Sequence, residues 1–474
     1  KRSRNLREKW LKSVRNYKKR CWLKVAKILL SNATILTMDD KGTIYDKGYL
    51  VIEDEQISEI GPQESLEALG GLEGYEVLDC TDKIVMPGMI NCHSHMSMIV
   101  YRSLADDMPD RLNRFMIPLE DRTRTIEMVE DGTYYAAAEM LMGGITTVVD
   151  QGGEVEVQAK VFEDIKMRGV LSETISSRNF AETFQKSKDF LANWSNHALV
   201  TPSITCHAPY SVENEHIVAS HRLAREYDVL MQMHLAEMVY EFSESKKHYG
   251  VGPVQRLDSL GVLDEKFLGA HLCLASKPDL EIVAKRQAKV SYNPGANSKA
   301  AKDIAPVVDM HLLDIPVGLG TDGPMSSNSL NLFGILGLAA RLQKLRYMDR
   351  SAFPCELVVR MATIEGAKAI GLENKIGSLE RGKLADVIII ETESVNMMPI
   401  YDYYATIVYS ANASNVETTI VNGEIVVLNK HLISKNLQDL RKNMLLHHKT
   451  ISKVAEQLYV EIEEKYDLSQ KLNY

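Results

Sequence analysis

The sequence predicts an α/β protein built on a closed (β/α)8 barrel, a TIM barrel, with a small β-sandwich domain formed from the N- and C-terminal segments on either side of it. Three observations predict this. Eight apolar runs of strand length alternate with longer segments of helical periodicity, short β-branched strands flank them at both ends, and histidines and acids recur where the runs finish. Strands that are apolar almost throughout suit a parallel sheet buried on both faces, and eight of them separated by helices are enough to close a barrel.

The first 24 residues hold eleven Lys or Arg and one Glu, while the 474-residue chain carries a net charge of −9. Residues 1–26 therefore read as a solvated basic extension. The rest is acidic enough to argue against nucleic acid as a partner. From 27 to 86, ILLSNATILTM, GYLVIEDEQISEIG and YEVLDCTDKIVM mix β-branched residues with Gly, Asn and Asp turns, the first part of the sandwich. The barrel is expected over 87–376, with strands MPGMINCH, GITTVVDQ, RGVLSETI, ALVTPSITCH, VLMQMHLAE, FLGAHLCLA, AKVSYNP and IPVGLGTD. Residues 377–430, with GSLERGKLADVIII and VETTIVNGEIVV, return to short strands and complete the sandwich, and 431–474 has the spacing of a tail of one or two helices.

No window approaches the ~18 apolar residues of a membrane span, and the basic head lacks the apolar stretch of a signal peptide. Six cysteines lie far apart with no C-x-x-C pair, so reduced thiols and a cytoplasmic address are expected. A homo-oligomer is compatible with the sequence but not demanded by it.

Barrel enzymes carry their chemistry at the C-terminal ends of the strands, where the loops converge. In the first strand, INCHSH puts His93 and His95 two residues apart, on one face of an extended chain. His207 ends the fourth strand, His234 and Glu237 the fifth, His271 the sixth and Asp322 the eighth. Several nitrogen donors with one carboxylate suit Zn, Fe or Mn and leave positions for water, which points to catalysis rather than a closed structural site. Cys92 and Cys206 adjoin site histidines, but strand alternation turns both away toward the surrounding helices. FPCEL lacks the second Cys of the zinc deaminases that use P-C-x-x-C on a different fold.

PGMINCHSHMSM, TCHAPYS, HLAE, GAHL and GLGTDGPMSSNSLNLF resemble the cytosine-deaminase-like branch of the amidohydrolase superfamily, over roughly residues 27–430. That branch includes S-adenosylhomocysteine and methylthioadenosine deaminases, other purine and pterin deaminases, and triazine hydrolases. The resemblance implies His93, His95, His234 and Asp322 as ligands of one divalent metal ion, zinc before iron or manganese. It makes Glu237 the proton carrier and His271 and Asp322 further catalytic groups. The fourth strand carries no Lys that could bridge a second ion. The implied reaction is hydrolytic deamination of an adenosine-like, purine or pterin ring, with triazine hydrolysis and an inactive barrel scaffold as rival readings. Glu120 in IPLEDRT and His207 are the implied substrate contacts. The segment before Glu120 lacks the family's Trp, and LSETISS lacks the Arg expected after the third strand, leaving Arg102, Arg111 or Arg178 to stand in. Asp106 and Asp107 read as turn residues, and SYNPGANSK, around Asn297, as an altered pocket-mouth loop.

Overall fold

The apolar runs become the staves of a parallel sheet. The computed structural model describes residues 27–71 and 73–465, so the basic stretch 1–26 lies outside the described residues. Strands β1 (Lys27–Leu36), β2 (Ile44–Glu53), β3 (Gln56–Pro62), β4 (Glu76–Asp79) and β5 (Lys83–Pro87) precede the barrel. The barrel strands are β6 (Met89–Ser94), β7 (Ile145–Gly152), β8 (Arg168–Ile175), β9 (Val200–Pro202), β10 (Ile204–Cys206), β11 (Met231–Leu235), β12 (Phe267–His271), β13 (Lys289–Tyr292) and β14 (Val317–Leu319). After them come β15 (Val387–Glu391), β16 (Val416–Val421), β17 (Glu424–Leu428) and β18 (His431–Leu432).

The barrel sheet runs β14-β13-β12-β11-β10-β8-β7-β6, every pairing parallel. The run expected as one fourth strand is split at Ser203 into β9 and β10, both on β8, because Pro202 brings no N–H to the ladder. Between the first and last staves, Asp322 N–H donates to the His93 carbonyl at 3.0 Å and Thr321 N–H to Asn91 Oδ1 at 2.9 Å. Two predicted metal ligands thus join the ends of the barrel through their backbones. A Cβ at Gly320 would stand 2.1 Å from Asn293 Oδ1, so only glycine lets the last stave run this close.

The flanking segments form one nine-stranded sheet, β18-β17-β16-β15-β5-β1-β2-β3, with β4 on β1. The N- and C-terminal halves meet where β5 and β15 pair antiparallel, Val85 opposite Ile389. Alternation divides the labour: Val85, Val387 and Ile389 enter the sheet's own core, while Ile84, Met86, Ile388 and Ile390 face the barrel core. Arg168 at the base of β8 donates to both carboxylate oxygens of Asp386, at 2.7 and 3.0 Å, with both side chains buried. Removing one partner of such a pair leaves an uncompensated buried charge, so Asp386→Ala is expected to cost about 3–5 kcal/mol of stability, measurable by denaturant titration.

Four helices bear on the site: α1 (Ile117–Thr123), α2 (Val239–Tyr249), α3 (Pro294–Lys299) and α4 (Leu437–Lys465). A π-helical turn, Leu112–Met116, leads into α1. Of the tail expected from 431, His431–Leu432 instead pair with β17 as β18, and the rest of the described tail forms a single helix, α4. No helix among the described residues is long and apolar enough to cross a membrane.

Candidate active site

Strand alternation and barrel closure bring the predicted side chains to one point. His93 at the end of β6 and His95 just past it lie with ring centroids 4.9 Å apart. His234, from β11, is 4.9 Å from His93, and His271, from β12, is 5.3 Å from His93. Asp322 follows β14 in a left-handed conformation (φ +59°), tolerated by Asp, which places Oδ1 3.7 Å from His93 Nε2 and 3.6 Å from His95 Nε2. Candidate ligand atoms fall into two overlapping groups, His93 with His234 and His271, and His93 with His95 and Asp322, each within 4.8 Å. His271 (φ +80°) and Ala236 (φ +49°) also hold left-handed backbone, so three of the turns at the strand ends are strained, as functional sites often are.

Hydrogen bonding fixes which face of each ring looks inward. His95 Nδ1 donates to the Gln151 carbonyl and His234 Nδ1 to the His207 carbonyl, each at 2.7 Å. Each bond places the proton on Nδ1 and leaves the Nε2 lone pair exposed to the centre. Those two nitrogens face one another at 3.3 Å. Nε2 of His93 and of His271 are buried with no hydrogen-bond partner. Burial, reinforced by the neighbouring imidazoles, pushes His93 and His234 well below the usual histidine range and keeps them neutral. Converging lone pairs with a carboxylate oxygen between them repel one another unless a cation sits among them, so this donor set fits a divalent ion.

Glu237 lies beside this cluster, its Oε1 3.5 Å from His271 Nε2 and accepting from Lys302 Nζ. Burial alone pushes its carboxyl up, but the Lys302 ammonium, through its charge and its hydrogen bond, holds it below the usual carboxylate range. The backbone that carries it is fastened from below: buried Glu241 on α2 accepts from the N–H groups of Ala236 and Glu237, both at 2.9 Å. Burial pushes the Glu241 carboxyl up to about 7 despite those donors. His271 Nδ1 meets the Oδ1 of buried Asn297, on α3, at 2.8 Å. Asn297 thus stands inside the site rather than at its mouth.

The remaining predicted residues lie around this centre. His207 packs 5.1 Å from His234, its Nδ1 2.7 Å from Ser211 Oγ, and burial lowers its pKa to about 4, so the ring is neutral. Burial raises the carboxyl of Glu120, on α1, and Arg124 Nε stands 3.6 Å from it. Arg102 is committed to Glu139 at 2.7 Å, Arg111 to the carbonyls of Leu104 and Met325, and Arg178 is 80% exposed. Asp106 is more than a turn residue, since it binds Lys299 and Asn328, each at 2.6 Å, while Asp107 is exposed. Cys92 Sγ packs on the Gly366 carbonyl, and burial pushes the Cys206 thiol up to about 12, so both remain apolar filling. Sequence reasoning missed Lys302, Glu241 and Arg124. Glu241 left a signal as an acid in the first turn of the helix after the fifth strand, and Arg124 as a base four residues after Glu120, while Lys302 left none.

The family model described as "Amidohydrolase family" matches residues 84–426. A curated relative named 5-methylthioadenosine/S-adenosylhomocysteine deaminase, from Desulforamulus reducens, is 35% identical over 412 residues, covering 85% of this chain and 94% of its own. One of the same name from Syntrophobacter fumaroxidans is 32% identical over 434 residues, covering 90% and 98%. Among solved structures, an adenosine deaminase from Xanthomonas campestris with bound zinc superposes with a TM-score of 0.87 at 25% identity, covering 90% of this chain and 98% of its own. Atrazine chlorohydrolase from Arthrobacter aurescens, complexed with zinc, shares the fold with a TM-score of 0.82 at 20% identity, covering 89% and 100%. With the strand-end histidines in place and the matched region spanning the whole barrel, the chain belongs to the amidohydrolase family.

Proposed function

We propose that this protein is a metal-dependent hydrolytic deaminase of an adenosine-like nucleoside, with a 5′-substituted adenosine as the leading substrate. The observation that carries the reading is a buried carboxylate, Glu237, standing beside the converging histidine nitrogens and Asp322 but outside both groups of candidate ligands. His93, His95, His234 and Asp322 would hold one divalent ion, zinc first. Bound there, such an ion supplies Lewis acidity that activates water near neutral pH.

The chain's own groups do the rest. Glu237 takes a proton from the attacking water and passes it to the ring nitrogen beside the amine-bearing carbon. Water oxygen bonds to that carbon, the carbon–amine bond breaks, and ammonia leaves with a second proton relayed through Asp322. His271, oriented by Asn297, steadies the attacking oxygen. Glu120 and His207 would receive the sugar and ring, as they do in the resemblance.

Three arginines that could have met an amino-acid carboxylate are tied down or exposed, and Arg124 and Lys302 each face a carboxylate used in this scheme. A neutral 5′ group is therefore expected to be preferred over a homocysteine tail by at least about tenfold in kcat/KM, one charge-assisted hydrogen bond being worth ~1.5–3 kcal/mol. The test is ammonia release on adenosine, 5′-methylthioadenosine, S-adenosylhomocysteine, guanine, a pterin and an aminotriazine. Highest kcat/KM on 5′-methylthioadenosine supports the reading. Turnover confined to the triazine or pterin overturns it.

A further inference from the structure

The longest helix of the described chain, α4, does not pack on the barrel's own helices alone. It also seats against the segment between the first two staves, which carries Glu120. Ile451, Ala455, Leu458 and Ile462 recur at i, i+4, i+7 and i+11, one stripe of the helix, and all four are buried. With Phe115, Met116, Leu119 and neighbours they form an apolar cluster separate from the main core, which also takes in Met325 from the turn after Asp322. At its edge, the Phe115 and Tyr459 rings lie 4.6 Å apart. Arg122 makes paired hydrogen bonds to Glu461, at 2.9 and 2.8 Å, but both are exposed and such a pair contributes little. The apolar stripe carries the contact.

What it contacts is irregular backbone rather than a continuous helix or strand. Ser103, Ala105 and Asp110 hold positive φ, and the approach to α1 is a π-helical turn, a rare conformation common at functional sites. Bonds of Arg111 and Asp106 fasten its first part, and packing on α4 seats the part that leads into Glu120. Leu119 is buried in the α4 cluster, and the next residue, about 100° round the helix, is Glu120, half-buried on a different side with Arg124 Nε 3.6 Å from its carboxylate. One side of a seven-residue helix therefore rests on α4, while another carries the carboxylate read above as the sugar contact.

We propose that α4 is a brace for the substrate-binding lip, with Leu458 and Tyr459 acting as positioning residues that set where the Glu120 carboxylate stands. The proposal rests on the reading of Glu120 as a sugar contact. Because small misplacements of a binding group weaken productive binding steeply, Leu458→Ala is expected to raise KM for 5′-methylthioadenosine about tenfold, with kcat and metal content within about twofold of the parent. In a Glu120→Gln background, the same substitution is expected to raise KM by less than about twofold more, since coupled residues are non-additive. Amide exchange should quicken over 112–123 and stay unchanged at Phe267–His271.

An equal KM effect in both backgrounds overturns the brace, as does unaltered exchange over 112–123. Should Glu120→Gln itself leave KM unchanged, the sugar-contact reading fails, and the exchange measurement decides the brace without it. If Leu458→Ala does not fold, Tyr459→Leu, which removes the ring contact with Phe115 and the hydroxyl's bond to the Ala105 backbone, carries the same expectations at about threefold in KM.

Discussion

Glu237→Gln is expected to keep its fold and its bound metal while losing about 10²–10⁴ of kcat, the usual contribution of a positioned general acid–base. The substitution is nearly isosteric, and its amide oxygen can still accept from Lys302. The backbone clamp from Glu241 is untouched, because it acts through N–H groups rather than the side chain. What is lost is a group able to take a proton and return it. Steady-state kinetics beside elemental analysis separates the two properties: unchanged metal with collapsed kcat is the expected result. A variant turning over near the parental rate removes Glu237 from the proton path and leaves its ionised state without a catalytic explanation.

This prediction could be framed before any coordinates because the parts that fix Glu237 are local. His234 and Glu237 sit on one strand and its first turn, and strand period and motif spacing give their direction. The same locality made the eight staves legible, since each is a short apolar run bounded by a helix. What the sequence did not disclose depends on where distant loops come to rest. Lys302 lies in a segment with no periodicity, and its pairing with Glu237 spans 65 positions. Asn297 was visible as part of an altered loop, yet its bond to His271 depends on α3 turning back over the sixth stave. The lip preceding Glu120 is π-helical and rich in left-handed residues, for which apolar spacing carries no signal. Its partner, α4, was legible as a helix, but nothing in its stripe said which surface it would cover.

The second large effect concerns the inward-facing nitrogens. With Nδ1 of both His95 and His234 committed to carbonyls, two lone pairs converge 3.3 Å apart, next to unpartnered nitrogens of His93 and His271. Folding this arrangement is costly without a cation, and binding one recovers the cost, so metal affinity should appear as stability. A ligand present at a thousandfold over its Kd adds about 4 kcal/mol to the folded state. Chelator-treated protein is therefore expected to melt several degrees lower and to lose at least about a hundredfold in activity, because Lewis-acid assistance is worth several kcal/mol and each 1.36 kcal/mol is tenfold in rate. Zinc should restore both properties in the parent and neither in His93→Ala, since His93 belongs to both groups of converging ligands. An unchanged melting temperature on adding zinc, or full turnover at well under one ion per chain, would show that these histidines are packed for some purpose other than holding a metal.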